Sequence, residues 1–254
     1  MLSLKLAERV GKAHLSYSSI KYALQDIRLW EMYMKGQLKF KTDALSFGSM
    51  YDCLLFTPED FDKKYMMVDD KEVCKEIGGR APKMTNKYKA WVKVFEDDAK
   101  AQGLELLGQG DLTKAEEMID RLKTTGVYDE FLKGEYQHEF NTEVNGVPLR
   151  GFLDCLGDGY ISDSKTAQSI DKFRHSVTNF GYDIQAYIYT EVLGIKDFYW
   201  VVQEKAYPFN VAVYEASDES LSRGQYKFNL AVDKIEEFLN STKAAEKYYT
   251  KGVI

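Results

Sequence analysis

The sequence is short of cysteine, of proline and of long apolar runs, and each shortage excludes a class of protein. Three cysteines occur in 254 residues, and no two of them form a CxxC pair. Zinc ribbons and four-cysteine iron–sulfur clusters need such clustered thiols, so both are excluded and reduced cysteines are expected. With only four prolines and no Ser/Gly/Pro-rich linker or repeat, residues 1–254 are predicted to form a single continuous domain.

A second absence concerns membranes and export. No stretch approaches the roughly 20 apolar residues that a transmembrane helix needs. The first residues, Met1 to Lys5, lack the apolar run of a signal peptide. We therefore expect a cytoplasmic protein with no membrane partner.

Positive charge is also in short supply. Lys and Arg number 34 against 40 Asp and Glu, which gives a formal net charge of −6. Nucleic-acid binding depends on cationic contacts to phosphate, so this balance counts mildly against it. It does not exclude it, because a basic groove can lie on an acidic protein and the local field decides.

The pattern of the sequence changes near its middle. Residues 1–134 have the spacing of helices, residues 135–240 alternate between strands and helices, and residues 241–254 form a Lys-bearing tail. The predicted fold class is therefore α/β (α+β), with a helical N-terminal half. Helices are predicted at residues 16–33, 42–55, 86–102, 112–124, 168–193 and 217–239, and strands from residue 136 onwards, at 198–205 and at 210–216.

Two carboxylates and a lysine flank a turn in the second half. Asp158-Gly159 is a strong signal for a two-residue hairpin loop of type I′, which needs positive φ at both positions. Asp154 and Asp163 lie at equal distances on either side of this loop, so the hairpin places them opposite each other, about 5 Å apart at Cβ. Lys165 lies two residues further along and faces the same side, because strand side chains alternate.

A second hairpin extends this row of side chains. Asn145-Gly146 is another two-residue turn signal, and the same reasoning sets Gln137 beside Asp154. A bulge in either strand would shift the register. The expected row across three strands is Gln137, Asp154 and Asp163.

The two facing carboxylates need compensation, because like charges opposite each other destabilise a sheet. A divalent cation compensates them, and carboxylate oxygens with open positions for water and phosphate suit Mg²⁺ or Mn²⁺. A lysine beside such a site can orient or deprotonate an attacking water, or offset charge on a phosphate. On spacing alone, a solvent-exposed sheet face with scattered charges explains the pattern equally well.

The helix that follows carries a polar pair. Gln185 and Tyr189 are four residues apart and therefore share one helical face. Taken alone, this pair is better explained by a packed amphipathic helix.

Taken together, these residues resemble the motifs of a known nuclease group. Asp154, then Asp163-Ser164-Lys165, then Gln185 and Tyr189 look like the GxxD, DxK and QxxxY motifs of the RecB/RecE-like branch of the PD-(D/E)XK superfamily. The similarity is greatest to the RecE-like and lambda-type phage recombination exonucleases.

Other segments follow the order of motifs in these exonucleases. In that family Asp-x-Lys-Thr is followed by a helix with Tyr-x-x-Gln and by a strand ending Glu-Lys near a proline. The matching segments, including two that look like the family's helical start, are Ser16–Ile20, Phe47–Leu55, Asp163–Thr166, Tyr182–Gln185 and Glu204-Lys205 before Pro208. The resemblance covers roughly Ser16 to Gly224.

The resemblance implies both a fold and a metal site. The fold is the restriction-endonuclease-like core, a mixed central sheet flanked by helices. Asp154 and Asp163 would bind Mg²⁺, helped by the main-chain carbonyl of Ser164, with two ions per site and Mn²⁺ as a substitute. Lys165 would be the catalytic lysine.

The remaining expected site residues include two departures from the family. Gln185 and Tyr189 would position the active site or the DNA backbone and belong to the catalytic set. Where relatives often carry a metal-binding His, this sequence has Asp52, which we expect to be a further metal ligand. Gln137 stands where many relatives carry Glu, and its neutral amide oxygen is a weaker ligand.

The resemblance also implies an activity and partners. The expected protein is a Mg²⁺-dependent double-stranded DNA exonuclease, acting 5′ to 3′ on DNA ends to leave single strands for recombination by annealing. The family implies a homo-oligomeric ring (trimer or tetramer), a single-strand annealing protein as partner, and the host cytoplasm as location if a phage encodes the chain.

Two alternatives stay open at this point. One is a repair or restriction-like endonuclease, or a single-strand-specific nuclease, with the same site. The other is a catalytically silent DNA-binding module, which would be expected to have lost a metal carboxylate or the lysine; Asp154, Asp163 and Lys165 are all present.

Overall fold

The computed structural model describes residues 2–38 and 42–241, so nearly all of the tail predicted at 241–254 lies outside the described residues. The helices are α1 Leu2–Val10, α2 Tyr17–Gln25, α3 Ile27–Met34, α4 Asp43–Phe56, α5 Phe61–Lys64, α6 Lys71–Ile77, α7 Asn86–Gln102, α8 Gln109–Thr124, α9 Val127–Phe131, α10 Phe173–Asn179, α11 Tyr182–Leu193 and α12 Asp218–Asn240. The strands are β1 Tyr65–Val68, β2 Glu105–Gly108, β3 Glu135–Val144, β4 Val147–Leu156, β5 Tyr160–Ala167, β6 Asp197–Glu204 and β7 Val211–Glu215. Short 3-10 turns occupy Pro58–Asp60 and Pro82–Met84.

Five strands form one mixed sheet in the order β3-β4-β5-β6-β7. Neighbouring strands run antiparallel except β5 and β6, which are parallel and are connected through α10 and α11. A parallel pair needs such a crossover, because the chain must return to the starting edge before the next strand. The predicted fold class is confirmed: helices flank a mixed central sheet, and the N-terminal half is mainly helical.

Both predicted hairpins form, with one difference in turn type. The β3–β4 turn has positive φ at Asn145 and Gly146, as type I′ requires. In the β4–β5 hairpin only Gly159 has positive φ, so the type I′ prediction is wrong there. The residue before it keeps the negative φ that a side chain with a Cβ prefers. The predicted register survives, because Cys155 pairs with Ser162 across the loop.

The helix predicted from Ser16 to Tyr33 is two helices, α2 and α3, that meet at Asp26. The Asp26 backbone is extended, with φ −162° and ψ 129°, and its carboxylate accepts the Arg28 N–H at 2.8 Å. Asp side chains compete for the free N–H groups of a first helical turn and so favour a new helix start. The predicted start is confirmed, since Ser16 and Ser19 form a reciprocal cap at α2.

The other predicted helices are confirmed with small changes of boundary. Thr42 caps α4, α7 ends at the left-handed Gly103, and α8 begins at Gln109 rather than Leu112. The helical run after residue 167 is divided into α10 and α11 by Gly181, whose φ is 74°. The parallel pair β1–β2 was not predicted, because four-residue strands are too short to show a periodicity.

Two apolar clusters cover the two faces of the main sheet. On β6, Trp200 and Val202 face the cluster built with α1–α3 and α10–α12, whereas Val201 faces the cluster built with α4 and α8. Strand side chains alternate, so one strand contributes to both. All three cysteines are free thiols. Within the described residues no helix has the length and apolar character to cross a membrane.

Candidate active site

Asp154 and Asp163 come together where β4 and β5 separate. The β4–β5 ladder ends at the pair Cys155–Ser162, one residue before the two aspartates. Beyond it, the Ser164 N–H donates to Asp154 Oδ2 at 3.0 Å. The two carboxyl groups lie close enough for the charge of Asp154 to act on Asp163, which is only 1% exposed. The structure therefore brings together the two carboxylates that the hairpin predicted.

Lys165 lies on the same face of β5 and balances part of this charge. Its Nζ forms an ion pair with Asp163 Oδ2 and donates to the Ser164 carbonyl at 3.2 Å. Burial alone would lower the pKa of Lys165, but Asp163 and Asp154 outweigh it and the pKa lies above its usual value. Lys165 is therefore a cation at neutral pH.

The buried Asp163 carboxyl has an unusually high pKa. Its pKa is raised to about 7, mainly by burial; Lys165 opposes this shift, and the Asp154 charge reinforces it. A positive charge beyond that of Lys165 would favour the ionised form of Asp163.

Asp52 adds a third carboxyl from α4. Burial raises its pKa well above the usual value, and the charges of Asp154 and Asp163 act in the same direction. The nearby Ser164 side chain opposes the shift. The structure thus places Asp52 in the same cluster, where the family resemblance expected a ligand.

Helix α11 supplies the polar pair. Gln185 Nε2 donates to Asp163 Oδ1 at 2.8 Å and to the Tyr189 hydroxyl oxygen at 3.3 Å. The Tyr189 hydroxyl donates to the Phe152 carbonyl at 2.9 Å, which ties α11 to β4. Both side chains are buried, and Gln185 Oε1 has no hydrogen-bond partner within the described structure. Through Gln185, the pair contacts the Asp163 carboxylate instead of merely packing a helix.

The strand register places Gln137 next to the carboxylate cluster, but its side chain is not buried there. The β3–β4 pairs on both sides follow the predicted register, yet Gln137 and Asp154 do not pair, because the Gln137 backbone is left-handed at φ 51°. Its side chain is exposed. The structure therefore does not bring Gln137 into the buried cluster with Asp163.

The donor set fits a hard divalent cation. Carboxylate oxygens from Asp52, Asp154 and Asp163, with the Ser164 carbonyl, are the ligands that Mg²⁺ and Mn²⁺ prefer. In the described ranges, however, no group of three or more His, Cys, Asp or Glu side chains has the arrangement of a formed metal site. The Asp163 oxygens are already engaged by the side chains of Lys165 and Gln185. A bound cation would share or displace these contacts.

Three residues beside the cluster were not predicted as site residues. The Tyr182 ring lies 5.1 Å from Lys165 Nζ. The Tyr17 hydroxyl donates to the Phe180 carbonyl at 2.8 Å, and burial raises the Tyr17 pKa against the opposing charge of Lys165. Lys21 follows one turn along α2. Their only signal in the sequence was their position in or next to segments that resemble the family's Ser16–Ile20 and Tyr-x-x-Gln motifs.

Two cavities formed by the described residues do not coincide with the carboxylate cluster. A cavity of about 1050 Å³ lies between α6, α7 and β2 and is lined by charges of both signs. A cavity of about 720 Å³ reaches Tyr17 and Tyr189 at the edge of the cluster. We place the candidate site at the carboxylates because the perturbed charges converge there.

A comparison of the sequence with family models identifies the family of the chain. A family model described as a PDDEXK-like domain of unknown function (DUF3799) matches residues 29–247. The chain belongs to this family. The predicted PD-(D/E)XK assignment is therefore confirmed, and the match spans α4, the whole main sheet and α11. No curated protein matches the chain in sequence.

A solved structure shows the same fold for this PDDEXK-like protein. A candidate exonuclease from Eubacterium rectale superposes with a TM-score of 0.61 at 18% identity, covering 98% of this chain and 92% of that one. A phage-related exonuclease from Haemophilus somnus gives a TM-score of 0.32 at 15% identity, covering 70% of this chain and 97% of that one. LHK-Exo, an alkaline exonuclease from Laribacter hongkongensis solved with dAMP, gives a TM-score of 0.37 at 12% identity, covering 94% of this chain and 95% of that one. The family match and the first of these structures show the fold of the chain.

Proposed function

We propose that this PDDEXK-like protein is a Mg²⁺-dependent deoxyribonuclease, with Mn²⁺ as a substitute. The observation that carries the proposal is the buried carboxyl of Asp163, which contacts Asp154, Lys165 and Gln185 together. Two carboxyls and a lysine held in one desolvated cluster are costly unless they serve a ligand that is charged. A divalent cation and a phosphodiester together provide that ligand.

The residues have separate roles in the proposed hydrolysis. Asp52, Asp154, Asp163 and the Ser164 carbonyl hold the divalent ions, two per site by resemblance. When bound, the ions supply positive charge that stabilises the phosphoryl-transfer transition state.

Lys165 keeps its proton at Nζ, orients the attacking water and offsets charge on the scissile phosphate. Gln185 fixes the orientation of Asp163, and Tyr189 holds Gln185 in place. In the reaction a bond forms between the water oxygen and phosphorus. The bond to the leaving nucleotide oxygen breaks; the attacking water gives up a proton to solvent, and the leaving oxygen takes up a proton from solvent.

The proposed substrate is the end of double-stranded DNA, degraded 5′ to 3′ to leave a single strand for annealing. This part follows from the resemblance to recombination exonucleases. The same resemblance supports a ring of three or four chains and a single-strand annealing protein as partner. Light scattering with and without duplex DNA tests the ring, and a monomer mass under both conditions would rule it out.

The experiment that tests the function uses three DNA substrates. The purified protein is incubated with linear duplex labelled at the 5′ end, with duplex labelled at the 3′ end, and with a closed circle, each with Mg²⁺ or EDTA. We expect early release of the 5′ label, an intact circle and no reaction in EDTA. Nicking of the circle would establish an endonuclease with the same site.

Matched variants connect the activity to the cluster. Lys165→Ala and Asp163→Asn are expected to lose cleavage. Lys89→Ala and Asp120→Asn remove the same side chains at exposed positions on α7 and α8 and are expected to retain it. If the wild type binds DNA but cuts no substrate with either metal, the enzyme proposal fails and a DNA-binding module replaces it.

A further inference from the structure

Lys21 is a partly buried cation that no carboxylate neutralises. Within the described part of the chain it forms no ion pair. Its Nζ lies over the rings of Tyr17 and Tyr22, at 5.6 and 5.8 Å from their centroids. Burial lowers the Lys21 pKa, and the charge of Lys165 acts in the same direction. A lysine in such surroundings is favoured only if an anion binds beside it.

The position of Lys21 directs this anion to the active site. The Lys21 side chain lies beside Gly181, where an added Cβ would be 3.7 Å from Lys21 Cγ. The next residue is Tyr182, whose ring lies beside Lys165 Nζ. Lys21 and Lys165 therefore lie beside consecutive residues of the same short segment, Gly181 and Tyr182. Asp163 neutralises Lys165, and only Lys21 remains without an anion.

Phe180 adds an exposed aromatic ring at the same place. It is 54% exposed although it precedes the buried start of α11. Its main chain is fixed, because its carbonyl accepts the Tyr17 hydroxyl and its ring lies 5.8 Å from that of Tyr182. A large apolar ring held in solvent beside an unpaired lysine has the two properties that nucleotide binding uses, a face for stacking and a charge for phosphate.

We propose that Lys21 and Phe180 form a nucleotide-binding subsite beside the catalytic cluster. Lys21 binds a phosphate that neighbours the one to be cut, and Phe180 stacks on the base attached to it. This inference rests on the proposed nuclease function, because it assigns the two residues to the strand that enters the site. It predicts one phosphate contact and one stacking contact that can be removed separately.

The first test alters the DNA and leaves the protein intact. Phosphates near one end of a labelled duplex are replaced one at a time by uncharged methylphosphonates, and binding is measured by fluorescence anisotropy with Ca²⁺ in place of Mg²⁺. At one position the substitution is expected to weaken binding to the wild type about tenfold and to have no effect on Lys21→Met. Lys21→Arg, which keeps the charge, is expected to respond like the wild type.

The second test separates charge from stacking. Loss of one phosphate contact reduces the slope of log affinity against log salt by about 0.7 to 0.9, and this is expected for Lys21→Met. Phe180→Ala is expected to weaken binding about tenfold with an unchanged slope, and to have no effect on a duplex with an abasic site at that nucleotide. Lys89→Met and Tyr226→Ala, both at exposed positions, serve as controls.

The outcomes distinguish this inference from the proposed function. If the wild type binds and cuts DNA, but Lys21→Met and Phe180→Ala respond to every probe as it does, the subsite is refuted and the nuclease stands. If the wild type neither binds nor cuts any duplex, both the subsite and the proposed nuclease function are refuted.

Discussion

Gln185 is the side chain through which helix α11 reaches the carboxylates. Its amide donates to Asp163 Oδ1 at 2.8 Å inside a buried cluster, so Gln185→Leu leaves that oxygen without its donor. A hydrogen bond to a charged group contributes about 1.5–3 kcal/mol, and we expect kcat to fall roughly 10- to 100-fold with little change in KM. The measurement is the initial rate of duplex hydrolysis. Gln102→Leu, exposed on α7, is the control; equal rates for both variants would reduce Gln185 to a packing residue.

The Asp163 carboxyl makes stability depend on pH. Its pKa is about 7 in the folded protein against an ordinary value of 3.8, so the folded chain holds a proton that the unfolded chain releases. This contribution is fully present below the ordinary value and is lost as the pH rises through about 7. In EDTA, between about pH 5 and about pH 8, the wild type is expected to lose roughly 2 kcal/mol relative to Asp163→Asn, whose amide does not ionise.

Urea denaturation at the two pH values measures this difference. Asp120→Asn, an exposed position, is expected to follow the wild type at both. Parallel pH profiles for the wild type and Asp163→Asn would show that the Asp163 carboxyl is ionised throughout.

At the scale of single residues, the sequence predicts those features of the site that the local backbone geometry determines. A hairpin loop and the alternation of strand side chains bring Asp154, Asp163 and Lys165 together, so their proximity could be worked out from numbering alone. Asp52 needed the family resemblance, because no local rule connects α4 with β5. Lys21 could not be predicted, since it reaches the cluster only through the packing of α2 against the start of α11.

Helices α11 and α12 pack so closely that one position admits only glycine. A Cβ on Gly224 would lie 2.0 Å from the Asp183 carbonyl oxygen and 2.9 Å from Tyr187 Cβ. We expect Gly224→Ala to push α12 away from the helix that carries Gln185 and to destabilise the fold by about 1–3 kcal/mol, measured by urea denaturation. Gly110→Ala on α8, where a Cβ meets nothing within 4 Å, is expected to cause no loss. A stable Gly224→Ala would mean that the helices can separate without cost.

The elements that sequence patterns missed are those decided by single side chains or by distant contacts. Asp26 breaks a continuous helical pattern because its carboxylate caps the next turn. Strands β1 and β2 pair across α6 and α7, and neither has enough residues to show a strand pattern alone. The long alternating strands and the capped helices were predictable because each carries its own signal over many residues.

At the scale of the whole molecule, the net charge of −6 and the buried carboxylates both favour the binding of cations. Any divalent salt would stabilise the chain slightly by screening its overall charge, so stabilisation alone does not establish a site. A specific site instead stabilises the folded state by mass action, by about 2.7 kcal/mol at a hundredfold excess over Kd. For a chain of this size that corresponds to a rise in Tm of roughly 5–10 °C.

We therefore expect Mg²⁺ to raise the Tm of the wild type and of Asp120→Asn by this amount, at constant ionic strength set with NaCl. Asp154→Asn and Asp163→Asn each remove one carboxylate from the cluster and are expected to show only the small effect of screening. The three variants have the same net charge, because each exchanges one Asp for Asn, so differences between them cannot arise from the overall field. Equal Mg²⁺-induced shifts in all three variants would place the bound cation outside the cluster and remove the basis for metal-dependent hydrolysis there.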